Sequence, residues 1–225
     1  MASDVRVGVI DSGCSPEQAG QLLAARRFWL EDGMLREGAL LPDRLGHGSA
    51  VLAGVQAQAG ELPMLMAQVF DQQWSTSALQ VAAALLWLVE QGANVVNLSL
   101  GLHQDRPVLR QACAEAQAAG VVLCASSPAQ GSPVYPACYP GVIRITGDAR
   151  CAAEQWSWLG SAQADLGGPV GGRTMAGASL ACAALSGRIA AWLAARPGLG
   201  REHVLTHLRA DAAYTGPERR RLGDG

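Results

Sequence analysis

The chain has 225 residues, of which 49% are apolar and 16% charged, a composition that excludes a disordered chain and allows a full hydrophobic core. Its formal net charge of −2 offers no basic excess for nucleic acid or an anionic membrane. All 17 basic residues are arginine, so a Schiff-base lysine, a P-loop lysine and a Ser–Lys dyad are excluded together, and any imidazole chemistry must use His47, His103, His203 or His207.

In chain order, Val5–Ile10 is a short β-branched run that ends at Asp11-Ser12-Gly13, which predicts a buried strand entering a turn. Pro16–Arg27 reads as a short helix, and Phe28–Leu41 as a mixed, glycine-punctuated stretch. Gly46-His47-Gly48 precedes a small-residue helix that starts near Ser49. Leu65–Phe70 predicts a second strand. Ser77–Glu90 predicts an amphipathic helix stopped by Gly92. Asn94–Leu100, Val121–Ala125 and Gly141–Thr146 read as further strands, with a helix over Pro107–Ala119. A long alanine-rich helix follows over Ser179–Arg196, and a short one over Arg201–Leu208. Short apolar runs alternating with longer helices predict an α/β fold with a mostly parallel sheet covered on both faces. The expectation is one domain over 1–225, with 216–225 as a peripheral tail.

The run Val5–Ile10 is too short for a signal-peptide core and is broken by Arg6, so the default compartment is the cytoplasm. No window holds 18 uninterrupted apolar residues, which argues against a membrane span. The six cysteines form no C-x-x-C pair. Free thiols packed as small core hydrophobes are the expected state, although the even count leaves a bridge open. His203 and His207 are spaced i, i+4 as metal ligands can be, but a solvated helix face is the expected reading. No acidic loop cluster suggests calcium, and no cofactor is expected.

Three segments carry candidate chemistry at strand ends and helix mouths. Asp11 follows the first strand, His47 lies between two glycines, and Ser179 opens the long apolar helix. A serine hydroxyl needs a base, histidine is that base near neutral pH, and a carboxylate fixes the imidazole tautomer. The first turn of a helix adds backbone N–H groups suited to an oxyanion.

The blocks VGVIDSG, DRLGHGSAVLAG, NVVNLSLG, AGVVLCAS and AGASLACAALSG resemble, in the same order, the signature blocks of the subtilisin-like serine proteases. The resemblance covers about residues 5–210 and implies a subtilisin-like three-layer α/β sandwich. It implies catalysis by Asp11, His47 and Ser179, and an extended peptide or protein substrate paired along Ser99-Leu100-Gly101. His103, just past that edge, is then expected near the substrate rim, and Trp74, in the polar stretch 71–77, is the tryptophan expected to be exposed near the cleft. Asp-Ser-Gly also occurs in aspartic proteases, but those are all-β and carry the motif twice. A nucleotide-binding reading lacks G-x-G-x-x-G and the P-loop lysine.

The sequence departs from the family pattern where an asparagine side chain usually serves the oxyanion. Ungapped counting from Gly120 places Ala129 there. Loss of such a donor costs about 3–4 kcal/mol, roughly 10²–10³ in rate. Ser127 and Gln130 are the candidate replacements. Ala178 and Ala183 replace a threonine and a proline of the serine block. The loop from Ala129 to Tyr135 is short for the family, which predicts a shallow first specificity pocket. The family's prodomain is also missing from the expected pattern. Together these features resemble a compact processing peptidase, and more narrowly the peptidases that trim a cross-linked subunit during quinohaemoprotein amine dehydrogenase maturation. The alternative expectation is a pseudoprotease that keeps the cleft as a peptide-binding module.

Overall fold

A computed structural model describes residues 4–171 and 177–218. Its centre is a ten-stranded sheet in the order β10-β8-β9-β7-β6-β5-β1-β4-β2-β3. The inner strands are β1 (Val7–Asp11), β4 (Met64–Gln68), β5 (Val95–Leu98), β6 (Val122–Ser126) and β7 (Ile143–Gly147). These are parallel neighbours. Period-two alternation divides their side chains between two cores. Val7, Val9, Met64, Met66, Val95, Val122, Cys124, Ile143 and Ile145 face one layer. Ile10, Leu65, Ala67, Val96, Leu98, Leu123 and Ala125 face the other.

The first layer holds α2 (His47–Ala59), α5 (Gly177–Ala194) and α6 (Arg201–Ala210), and the second holds α3 (Ala78–Glu90) and α4 (Pro107–Ala118). Ser77 caps α3 in a reciprocal box with Gln80, and the start of α4 carries proline in its first turn. Helices α2 and α5 lie side by side with their N-termini at the same end. Gly54 meets Ala183, Gly187 lies against the Val55 carbonyl, and Arg188 donates to Gln58 Oε1 at 2.8 Å. By length and hydropathy α5 is the one described helix that could cross a bilayer. Here its apolar side chains, Ala181, Cys182, Leu185 and Ile189 among them, cover the sheet.

Pro16–Arg27 does not form one helix. A single turn, α1 (Pro16–Ala19), is followed by β2 (Ala24–Glu31), which pairs antiparallel with β3 (Met34–Gly38). The intervening residues Asp32 and Gly33 both have positive φ, 51° and 76°, as a two-residue hairpin turn of twist-matched hand requires. The short strands β8 (Ser157–Trp158), β9 (Leu166–Gly168) and β10 (Tyr214–Thr215) extend the sheet at its other edge. All six cysteines are free, and five of them are buried. Burial pushes the Cys113 and Cys124 thiols up to about 12, so they pack as neutral apolar groups. The arginine run 219–221 lies outside the described residues.

Candidate active site

The C-terminal ends of β1 and β5 meet the N-termini of α2 and α5 where the strand order reverses: from β1 the chain runs out to β2 and β3, returns through α2 to β4, and crosses β1 through α3 to β5. Open α/β sheets form their clefts at such a point. Asp11, the last residue of β1, is fully buried. Its carboxylate accepts from the Ser12 N–H at 2.7 Å and lies 2.8 and 3.0 Å from His47 Nδ1 through its two oxygens. An ionised carboxylate only accepts, so it fixes the Nδ1–H tautomer of neutral His47 and leaves Nε2 as the lone-pair nitrogen. Burial of the ring pushes the His47 pKa down. The hydrogen bond to Asp11 and the charges of Asp11 and Asp43 outweigh that, and the result lies above the ordinary histidine value.

His47 is the first residue of α2, and Gly46 before it has φ 72°, a left-handed entry suited to glycine. Gly48 lets the helix mouth close on the Asp11 turn. Its N–H donates to Ser12 Oγ at 2.8 Å, and a Cβ there would collide with the Gly13 carbonyl and stand 3.0 Å from Ser12 N.

Asp43 is a residue that sequence reasoning missed. One of its oxygens accepts from Ser12 Oγ (2.9 Å), Gly46 N–H (2.9 Å) and Leu45 N–H (3.2 Å). The other accepts from Ser49 N–H (2.8 Å) and Ser49 Oγ (2.6 Å). This carboxylate ties the turn after Asp11 to the first turn of α2, where the helix dipole favours a negative charge. Burial pushes its pKa up, but the hydrogen bonds from Ser49, Ser12 and Gly46 prevail and hold it below the usual carboxylate value. The available signal was an aspartate four residues before His47 with a serine two after it, a pattern suited to capping. Gln68 closes the same knot: its Nε2 donates to the Ser12 carbonyl and its Oε1 accepts from the Leu41 N–H, each at 2.9 Å.

Asp43→Asn is expected to lower stability by about 1–3 kcal/mol, since an amide cannot accept from both donor sets. It also removes one of the charges that raise the His47 pKa. A histidine acting as general base must be neutral, so with His47 in that role the acid limb of kcat/KM is expected above the ordinary histidine value in the wild type and at lower pH in the variant. The stability contributed by ionised Asp43 is present above the ordinary aspartate pKa and is lost as pH falls through the depressed value. Urea unfolding at two pH values and a pH–rate profile check both parts.

Ser179 is the third residue of α5, and its carbonyl accepts from Ser99 Oγ at 3.3 Å. The single Ser99 hydroxyl proton is shared between that carbonyl and Asn97 Oδ1, which lies closer at 2.9 Å, while Asn97 Nδ2 donates to Ser186 Oγ at 3.1 Å. The end of β5 is thus bonded directly to α5. The structure places Asp11 and His47 in contact and sets Ser179 in the first turn of α5, the helix that packs along α2. Ser99, Leu100 and Gly101 line one side of a groove of about 360 Å³, with Phe70, Trp74 and His103 also on its walls.

The two oxyanion candidates separate. Ser127 is 2% exposed and its hydroxyl donates to the Gln163 carbonyl at 2.7 Å, so it is committed elsewhere. Gln130 is exposed and, with Ala129, Gly147 and Gln163, lines a second cleft of about 550 Å³. His203 is exposed, but His207 is not simply a solvated face: it stacks on Trp192 at 4.8 Å and pairs with Asp211 at 3.1 Å. Among the described residues no group of three His, Cys, Asp or Glu could hold a metal ion.

A parallel α/β sandwich with a carboxylate–imidazole pair at the strand ends and a serine on the neighbouring helix mouth has the layout of an α/β serine hydrolase. The subtilase family profile matches residues 2–225, and the chain belongs to that family. It is 26% identical to an intracellular serine protease of Paenibacillus polymyxa over 63% of this chain and 48% of that protein. It is 28% identical to thermitase of Thermoactinomyces vulgaris over 64% of this chain and 54% of that protein. The chain therefore spans about half the length of these curated relatives. A solved psychrophilic protease shares the fold, with a TM-score of 0.68 at 18% identity over 95% of this chain and 86% of that one.

Proposed function

We propose that the protein is a serine endopeptidase that works through an acyl-enzyme, with Ser179 as nucleophile, His47 as base and then acid, and Asp11 as the group that orients His47. The observation that carries this reading is the 2.8 Å contact from Asp11 to His47 Nδ1 at the end of β1. It directs Nε2 away from the carboxylate as the nitrogen available to a hydroxyl. Ser179 Oγ attacks the scissile carbonyl carbon while its proton passes to Nε2. The C–N bond then breaks as Nε2 returns that proton to the leaving amine. Water repeats the sequence on the ester and frees Ser179. The Ser179 N–H is the proposed backbone donor to the oxyanion, and Gln130 is the remaining side-chain candidate.

The substrate proposed is a polypeptide held as an extended strand along Ser99–Gly101. A shallow first pocket is supported by Val134, which is buried against Gly101: a Cβ on that glycine would stand 3.0 Å from Val134 Cβ. A narrow, processing role, namely removal of a leader from a modified polypeptide as in amine dehydrogenase maturation, is the finer form of the proposal. A cytoplasmic setting is supported by two relatives named as intracellular proteases, from Paenibacillus polymyxa and Bacillus subtilis.

Ser127's engagement with Gln163 and the alanine at position 129 favour one second reading, a peptide-binding module without turnover. A fluorophosphonate probe separates the two. Stoichiometric labelling mapped to Ser179 is expected of the peptidase, and an unlabelled protein that still binds extended peptide would establish the module.

A further inference from the structure

The segment from Asp71 to Thr76 joins β4 to α3 and is tethered at both ends. Phe70 is buried before it, and the Ser77–Gln80 capping box closes it. In its middle Trp74 is 62% exposed, a large apolar side chain left at the surface. It does not stand free. Its ring lies 5.2 Å from the His47 ring at an interplanar angle of 85°, and 5.8 Å from Phe70 at 62°. Both are edge-to-face arrangements of the kind aromatic quadrupoles favour. The His47 side chain is only 15% exposed.

Imidazole rotation about its second side-chain torsion has broad, roughly two-fold minima. One hydrogen bond, at Nδ1, holds one edge of the ring. Without a second contact, the ring can swing Nδ1 off Asp11 and let water compete for both partners. A ring set perpendicular to the imidazole at 5.2 Å blocks that swing. The pair Phe70–Trp74 supplies the backing, since Phe70 is itself anchored in the core.

We infer that Trp74 is a positioning residue for His47: its indole holds the imidazole in the orientation in which Nδ1 faces Asp11 and screens that hydrogen bond from water. The inference rests on the peptidase reading only for its effect on rate. Its structural content concerns the Asp11–His47 pair alone.

The test uses Trp74→Ala and Trp74→Phe in the full chain. The low-field proton resonance of His47 Nδ1–H, identified by its loss in His47→Ala, is followed by NMR for exchange with water. Trp74→Ala is expected to speed that exchange about tenfold or broaden the signal away, and Trp74→Phe to retain it, because a benzene ring restores the edge-to-face contact. With a chromogenic peptide, Trp74→Ala is expected to lower kcat about tenfold at nearly constant KM, again with rescue by Phe. An unchanged exchange rate in Trp74→Ala overturns the inference, as does a raised KM with unaltered kcat, the signature of a substrate wall. The exchange measurement needs no turnover, so a protein that fails to react with a fluorophosphonate would still decide the role of Trp74.

Discussion

Ser179→Ala is expected to lower kcat by about 10⁶ and to leave KM nearly unchanged. The hydroxyl contributes chiefly when its oxygen bonds to the carbonyl carbon, so its loss removes transition-state stabilisation and little ground-state affinity. The surrounding architecture does not depend on that oxygen. The local bond from Ser99 reaches the Ser179 carbonyl, which alanine keeps. Alanine also suits the helix, whose packing runs through Ala181, Cys182, Ala183 and Leu185. A folded variant that binds peptide and does not cleave it is therefore the expected product. The measurement is kcat and KM on one peptide series, with peptide binding read separately by calorimetry. A residual rate above about one per cent of wild type would place the nucleophile elsewhere.

Much of this arrangement was legible because the inner strands are buried on both faces. Parallel strands of that kind read as unbroken apolar runs, and Val5–Ile10, Leu65–Phe70 and Val121–Ala125 fall on β1, β4 and β6 within a few residues. The pairing of Asp11 with His47 was legible for a different reason: each stands among small residues, one at a strand end and one at a helix mouth. The hairpin of β2 and β3 went unread although its signal was present. Asp32-Gly33 is the pair that favours a two-residue turn, but the strands beside it are half exposed and rich in arginine and glutamate, so apolar patterning does not show them. The strands β8, β9 and β10 hold two or three residues each, too few for any period to register. Asp43 was illegible as a site residue, and Trp74 was legible only as an exposed ring near the cleft, because their roles depend on contacts made across the fold. One is defined by bonds to Ser12 and Ser49, the other by the ring of His47. Ser127 shows the converse. Sequence distance allowed it to serve the oxyanion, but folding brings it the Gln163 carbonyl.

Asp11→Asn is expected to lower kcat by about 10⁴ near neutral pH while the protein stays folded. Asparagine is nearly isosteric, and its amide oxygen can still accept from the Ser12 N–H as Asp11 does at 2.7 Å. The amide nitrogen must then face His47 Nδ1. It donates where the carboxylate accepted, so Nδ1 becomes the acceptor and the ring proton moves to Nε2. A protonated Nε2 cannot take the Ser179 proton. The imidazolium formed later would also lack its counter-charge, in a site where Asp11 is fully buried. A second effect has a definite sign. Asp11 contributes two of the influences that raise the His47 pKa, its hydrogen bond and its charge. Removing them lets burial dominate, and the residual activity is expected to show its acid limb at lower pH than in the wild type. The loss should also be smaller than that of Ser179→Ala, because the correct tautomer remains reachable at an energetic cost while a missing nucleophile does not. Parallel pH–rate profiles of the two variants and the wild type check the order. Equal rates for Asp11→Asn and wild type would remove Asp11 from the mechanism, whatever its distance from His47.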